Sequence, residues 1–241
     1  MKEKKERIEI IDALRGLATV LMVIHHLLYN LTAFLGAPEW LFHNPVFEFL
    51  QYIFAGLFIL LSGVSSRFSR GNVERGAIVV VLAMVITYVT NRMDMPIWFG
   101  ILHLLGFSMM FFGLTQKLWD FVPKKFPPII FISFIVISLF MKANFHFASG
   151  NIWLRDMLNV LGWPSSDFRS FDYFPLFPWV FVFLLGTWLG IYIRDRKFPG
   201  WFYEVKVPLF PAIGKKTLII YVLHQPVLYA LVMAIAAIRA I

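Results

Sequence analysis

Arg15 and His26 carry the chemistry most worth explaining, because both lie in an otherwise apolar stretch running from Leu14 to Leu35. A guanidinium pairs with carboxylate or phosphate, and an imidazole takes up and returns a proton near neutral pH. The eleven-residue separation between them rotates a helix by about 1100°, only ~20° off three full turns, so the two side chains share a face. Thr19 lies on that face four residues beyond Arg15, Asp12 precedes it by three, and Tyr29 and Asn30 extend the line past His26. His25, about 100° away around the helix, falls off it. A polar line of this kind turns toward a protein interior or a water-filled cavity, and ionisable groups at such depth mark a functional site by default. The competing structural reading is an Asp12–Arg15 pair near the membrane surface and a histidine held by a neighbouring helix.

The element that must position these residues is a membrane span, since about 20 residues at 1.5 Å each cross the ~30 Å hydrocarbon layer. The chain as a whole fits that setting: 59% of its 241 residues are hydrophobic and the mean hydropathy is +0.74, above the 45 to 50% apolar content typical of soluble domains. Seven apolar segments, about 10–35, 47–66, 74–91, 97–116, 126–142, 173–193 and 216–238, are each long enough to cross. The expectation is an all-α integral membrane protein, a bundle of about seven transmembrane helices forming one domain over 1–241. The N-terminal run could suggest a signal peptide, but it is long, holds His25 and His26 and lacks a small-residue cleavage site, so it reads as a retained first span. The net charge of +8 follows from insertion rather than nucleic-acid binding, because cytoplasmic loops collect Lys and Arg. With Lys2, Lys4, Lys5 and Arg7 inside, alternate connections place sixteen cations on that side, against five (Arg92, Lys142, Arg155, Arg169 and Arg239) on the other. The N-terminus is therefore expected in the cytoplasm and the C-terminus outside. With no cysteine, disulfides, thiolate nucleophiles and Cys-based metal sites are excluded.

Few other polar residues stand at membrane depth. Glu39 and His43 precede the second span, His103 lies in the fourth, Asp172 and Trp179 flank two prolines at the opening of the sixth, and Tyr221, His224, Gln225 and Pro226 occupy the seventh. Each has a structural reading: a solvated interfacial histidine at 43, an interhelical hydrogen-bond partner at 103, helix-to-helix glue at 224–225, and Asp172 as a cap for the helix it precedes. Gly56 and Gly63, and Gly186 and Gly190, allow close helix approach. The connection 143–172, with Asn144, His146, Trp153, Arg155, Asp156, Trp163 and Asp167, is long enough to serve as a lid or binding element.

At these residues a family resemblance appears. Ile11 to Gly16 with a histidine eleven after Arg15, Phe58 to Gly63, Asp172 to Trp179 and Leu218 to Pro226 together resemble small bacterial relatives of the heparan-alpha-glucosaminide N-acetyltransferase catalytic domain. More distantly they are similar to the acyltransferase-three family. The resemblance implies an acyltransferase of a bacterial inner membrane, carrying an acyl group, typically acetyl, from cytosolic acyl-CoA to a sugar or glycan acceptor beyond the membrane. Arg15 and His26 match the arginine and histidine of the acyltransferase-three helix, whereas His43 sits where the heparan enzyme has the histidine associated with acetyl transfer. The base is thus His26 or His43. The extra spans and lumenal domain of the heparan enzyme are not in this sequence.

The catalytic expectation falls on His26, His43 and Asp12. Arg15, Arg67, Arg70, Lys215 and Lys216 are expected to meet the phosphates of acyl-CoA, Arg75 being a further cation at that end. His103, Asp172, Trp179, His224 and Gln225 are expected around the acceptor. No tightly bound cofactor or metal is expected. The partners are acyl-CoA as co-substrate, the glycan acceptor and membrane lipid, with no nucleic acid; a homo-oligomer is compatible with the sequence. The rival readings are a proton-coupled transporter, in which Asp12, Arg15 and His26 would form a relay, and a haem protein with axial histidines. A retinal protein is disfavoured because the last span has no interior lysine.

Overall fold

The computed structural model describes residues 8–145, 147 and 150–239; Lys2, Lys4, Lys5, Arg7 and His146 lie outside them. Every regular element among the described residues is helical. The long helices are α1 (Glu9–Leu35), α2 (Pro45–Arg67), α3 (Asn72–Asn91), α4 (Ile101–Phe121), α5 (Phe126–Asn144), α7 (Leu176–Arg194) and α10 (Thr217–Arg239). Each of the seven is long and apolar enough to cross a membrane, and the protein is a multi-pass membrane protein. Short helices fill two connections: α6 (Ile152–Leu161), and α8 (Trp201–Glu204) followed by α9 (Phe210–Gly214). The outward faces fit a lipid solvent. On α3, Ile78, Val81, Val85 and Tyr88 are all more than half exposed and recur at helical spacing, an apolar stripe that water would penalise and hydrocarbon does not.

The chain resolves into two compact units, 1–61 with 198–241, and 62–197, the boundary falling inside α2. In the first unit α9 and α10 pack on α1. A Cβ added to Gly16 would run into the carbonyl of Phe210, and one added to Gly214 into the carbonyl of Asp12. Only hydrogen at both positions lets the two backbones meet, and that fixes the start of α10 against the first turns of α1.

In the second unit α3 and α4 meet along a glycine seam, where a Cβ on Gly76 would stand 2.6 Å from the carbonyl oxygen of Gly106. Gly63 abuts the Phe183 carbonyl, and a Cβ on Gly190 would stand 2.8 Å from that of Arg67. Leu104, Phe112, Phe131, Phe183 and Leu184 fill the interior, each at most 2% exposed. The sixth span begins at Leu176 rather than 173, after Pro175, and is interrupted at Phe177, whose backbone is extended and whose bond to Pro178 is cis. The interruption leaves the Phe177 carbonyl to accept from Lys142 Nζ at 3.5 Å. The long connection is anchored by α6: Tyr173 donates its hydroxyl to the Asn159 carbonyl at 2.5 Å, and the Asn159 side chain accepts from the Ser165 N–H at 2.8 Å. Burial pushes the Tyr173 phenol up, which keeps it the donor this bond needs.

Candidate active site

The polar line on α1 meets α10. Arg15 Nη1 stands 3.2 Å from Asp12 Oδ1 and 3.5 Å from the Gly214 carbonyl. One turn on, the Thr19 and Thr217 hydroxyls are 3.1 Å apart, and two turns further the His26 and His224 rings lie 4.8 Å centroid to centroid, nearly perpendicular. Asn30 then donates to Gln225 Oε1 at 3.1 Å, and Phe34 meets Tyr229 at 5.3 Å. Both partners in these pairs rise together in number, so α1 and α10 run parallel, as a first and a seventh crossing would. Asp12, Thr19, Asn30, Thr217 and His224 are all buried, and each finds a partner across the seam or on its own helix, which is what polar groups removed from water require.

The two histidines are held in the same chemical form. His26 Nδ1 lies 2.9 Å from the carbonyl of Met22, and His224 Nδ1 lies 2.6 Å from the carbonyl of Tyr221. A carbonyl only accepts, so each Nδ1 carries the hydrogen, and in the neutral ring each Nε2 keeps its lone pair. Nε2 is the nitrogen turned away from the preceding turn, and in His224 it is buried with no hydrogen-bond partner. The site therefore presents two oriented basic nitrogens on facing helices. An imidazole tied at one nitrogen with the other nitrogen bare is the arrangement general-base catalysis uses.

His25, which the helical spacing put off the polar line, enters through its neighbours. Its ring touches that of His26 at 5.6 Å and that of Phe42 at 4.8 Å; Phe42 in turn meets Tyr29 at 5.2 Å and His43 at 5.0 Å. A continuous run of ring contacts thus joins His224 to His43. His43 itself is exposed, on the turn after a short 3-10 helix at Glu39–Leu41, its N–H donated to the Glu39 carbonyl at 2.8 Å. Sequence spacing misses this link because it depends on how that turn folds back over α1. At the other end of the seam, Lys215 and Lys216 are exposed just after Gly214, so the first unit brings together Arg15 and both lysines.

The remaining candidates lie in the second unit. Arg67 has a side chain only 2% exposed; it donates to Asp120 at 2.6 Å and to the Thr187 carbonyl at 3.1 Å, with its guanidinium over the Phe112 ring. Arg70 is exposed. The Gly100 N–H donates to His103 Nδ1 at 3.2 Å, so His103 carries its hydrogen on Nε2 and directs it to Thr87 Oγ1 at 3.3 Å; that hydroxyl donates to the Ile97 carbonyl at 2.6 Å. This tautomer is the reverse of the one at His26, and it ties the loop before α4 to α3. Asp172 Oδ2 accepts from the Ile101 N–H at 3.1 Å, capping α4, which is far from it in sequence. Trp179 is half-buried against Phe174. The exposed Asp167, on the long connection, is held below the usual carboxylate range first by its bond with Ser165, then by its backbone N–H and by Arg155. Among the described residues no cluster of three or more His, Asp or Glu could hold a metal.

Comparison with curated proteins and with solved structures gives no match. Residues 7–226 match the family described as heparan-alpha-glucosaminide N-acetyltransferase, catalytic. That stretch contains the whole seam from Asp12 to Gln225, and the chain belongs to the heparan-alpha-glucosaminide N-acetyltransferase catalytic-domain family.

Proposed function

We propose that the protein is a membrane acetyltransferase that takes the acetyl group of cytosolic acetyl-CoA and passes it to the hydroxyl or amine of a sugar or glycan on the other side of the plasma membrane. The family implies acetyl-CoA as co-substrate. The observation that carries the reading is His26: its Nδ1–H is tied to the Met22 carbonyl, and its bare Nε2 lies on the α1–α10 seam about 16 Å along the helix from Arg15. In this reading Arg15, Lys215 and Lys216 hold the CoA phosphates, the pantetheine arm lies along the seam, and the thioester ends beside the imidazoles. His26 removes the acceptor proton as the acceptor attacks the thioester carbonyl. Asp12 holds Arg15 in place.

The test is thermal unfolding of the purified protein with acetyl-CoA, desacetyl CoA and ATP. A ligand that binds only the folded state stabilises it by about 2.7 kcal/mol at a concentration of 100 Kd. Acetyl-CoA and CoA are expected to raise the unfolding temperature and ATP to do so less; no shift with acetyl-CoA removes the proposal.

The cross-membrane direction rests on topology. Parallel α1 and α10 support termini on opposite sides of the membrane, and the excess of Lys and Arg on one set of connections supports a cytoplasmic N-terminus. Because the chain has no cysteine, single cysteines at Glu39, Gln116, Asp167 and Lys197 report without background. Impermeant maleimide is expected to label 39 and 167 from outside and 116 and 197 only after lysis; the opposite pattern reverses the direction of transfer.

A further inference from the structure

The acyl-transfer step as written above gives His224 no part in the proton transfer. His224 is 8% exposed, its Nδ1–H is fixed to the Tyr221 carbonyl, and its Nε2 is buried with no hydrogen-bond partner. A buried polar atom left bare costs about 1–3 kcal/mol, and such atoms in native proteins call for a reason. Packing alone does not supply one: a leucine would fill similar space without that cost. The reason offered by the geometry is the neighbouring ring. His26 stands 4.8 Å away on the parallel helix, also with Nδ1 tied back to its own backbone. Tying both Nδ1 atoms to carbonyls stops either ring from satisfying its Nε2 by flipping over. The titratable groups beside the pair on these helices are His25 and Tyr29 on α1 and Tyr221 on α10; no carboxylate of α1 or α10 accompanies them at this level.

We infer that His224 is a second basic residue of the transfer site: its Nε2, unbonded in the resting structure, takes up a hydrogen bond from His26 once His26 is protonated, the adjoining rings closing on one shared proton. The inference rests on the acyl-transfer reading above. As the acceptor oxygen or nitrogen bonds to the acetyl carbonyl carbon and the carbon–sulfur bond breaks, the acceptor proton moves to His26 Nε2. His224 Nε2, a lone pair with no proton of its own, accepts a share of it and disperses the charge of the imidazolium. The proton then goes to the departing thiolate, giving free CoA thiol, and both rings return to the neutral form. No charge accumulates and no other reagent is consumed. Two full positive charges at this separation in a low-dielectric seam would repel strongly, so the pair operates with one proton rather than two.

His224→Asn keeps an amide N–H close to where Nδ1–H stands and removes Nε2, so the bond to Tyr221 and the local fold are retained. With acetyl-CoA and methyl α-glucosaminide as probes and release of CoA thiol as the readout, kcat is expected to fall about 100-fold. KM for acetyl-CoA and the acetyl-CoA-induced rise in unfolding temperature should stay as in the parent. In His224→Ala, which leaves a ring-sized space, added imidazoles are expected to restore turnover in proportion to their basicity, while thiazole, of similar size and nearly non-basic, does not. The proposal is overturned by unchanged kcat in His224→Asn, by restoration with thiazole as good as with imidazole, or by no restoration with either. Those outcomes leave His26 as sole base untouched. Loss of the acyl-transfer reading itself is recognised separately, by a parent protein that neither binds acetyl-CoA nor releases thiol from it.

Discussion

His26→Ala is expected to lower acetyl transfer by about 10²- to 10⁴-fold, the range over which a positioned acid–base group acts, while acetyl-CoA still raises the unfolding temperature as it does for the parent. The split follows from where the ring sits. His26 is only part-buried on α1 and, among the described residues, its hydrogen bond is to its own helix, at Met22, so truncation removes neither a large core side chain nor a hydrogen bond between helices, only the ring contact with His224. What goes is the Nε2 of a ring that packs against His224. Arg15, Lys215 and Lys216, which are proposed to hold the nucleotide end, lie two or more helical turns away and are untouched. His43→Ala is expected to cost only about tenfold, below the range for a group that itself takes the proton. Its ring is exposed and reaches the pair only through Phe42 and His25. A His43 variant more severe than the His26 variant would move the base to the outer boundary. Full transfer in the double variant would remove histidine catalysis altogether.

Much of the geometry of this candidate site is legible in the sequence, for a physical reason. A single helix imposes a known rotation per residue, so the alignment of Asp12, Arg15, Thr19 and His26 needed only counting: Arg15, paired with Asp12, reaches the Gly214 carbonyl at the end of α9, and Thr19 and His26 meet Thr217 and His224 on α10. The seven spans were legible likewise, because backbone groups in hydrocarbon must be satisfied within the helix and the chain therefore signals each crossing by composition. What could not be read is whatever depends on a second element. His25 falls on a different face from Arg15, yet the turn at 39–43 folds Phe42 onto it. Gly16 gave no hint that it faces Phe210 across 194 positions of sequence. The short helices α6, α8 and α9 are too brief for periodicity to separate them from loop. Arg67 illustrates the same limit in the opposite sense. Its place at the end of a span suggested a phosphate ligand, but its guanidinium is buried against Asp120, Thr187 and Phe112, and only the packing of α4 and α7 decides that. Asp172, expected around the acceptor and read alternatively as a cap for the helix it precedes, accepts from the Ile101 N–H and so caps α4, a helix distant in sequence.

Arg15→Leu tests whether the charged end of the seam is structure or site. The substitution makes the span more apolar, and on hydropathy alone it would stabilise the protein in a membrane. The structure predicts the opposite, because Asp12, with a side chain 11% exposed, loses the cation 3.2 Å from it. Removing one member of a buried ion pair typically costs about 3–5 kcal/mol, chiefly through the charge left behind. The Arg15 side chain is 20% exposed, so the lower end, about 3 kcal/mol, is expected here. Leu14→Ala, on another face, should cost less, about 1–2 kcal/mol for a half-buried side chain. The decisive protein is the double variant Asp12→Leu, Arg15→Leu. Replacing a whole buried pair by apolar groups is commonly neutral or stabilising, so the double variant should recover to within about 1 kcal/mol of the parent in thermal or denaturant unfolding without ligand. If Arg15 meets the phosphates of CoA, recovered stability will not bring back the acetyl-CoA-induced shift, because the guanidinium that makes the charge-assisted bonds is still absent. A double variant that regains both stability and the full acetyl-CoA shift would show that Arg15 exists for Asp12 and not for the ligand. The phosphate-binding role would then pass to Lys215 and Lys216, exposed at the same end of the seam.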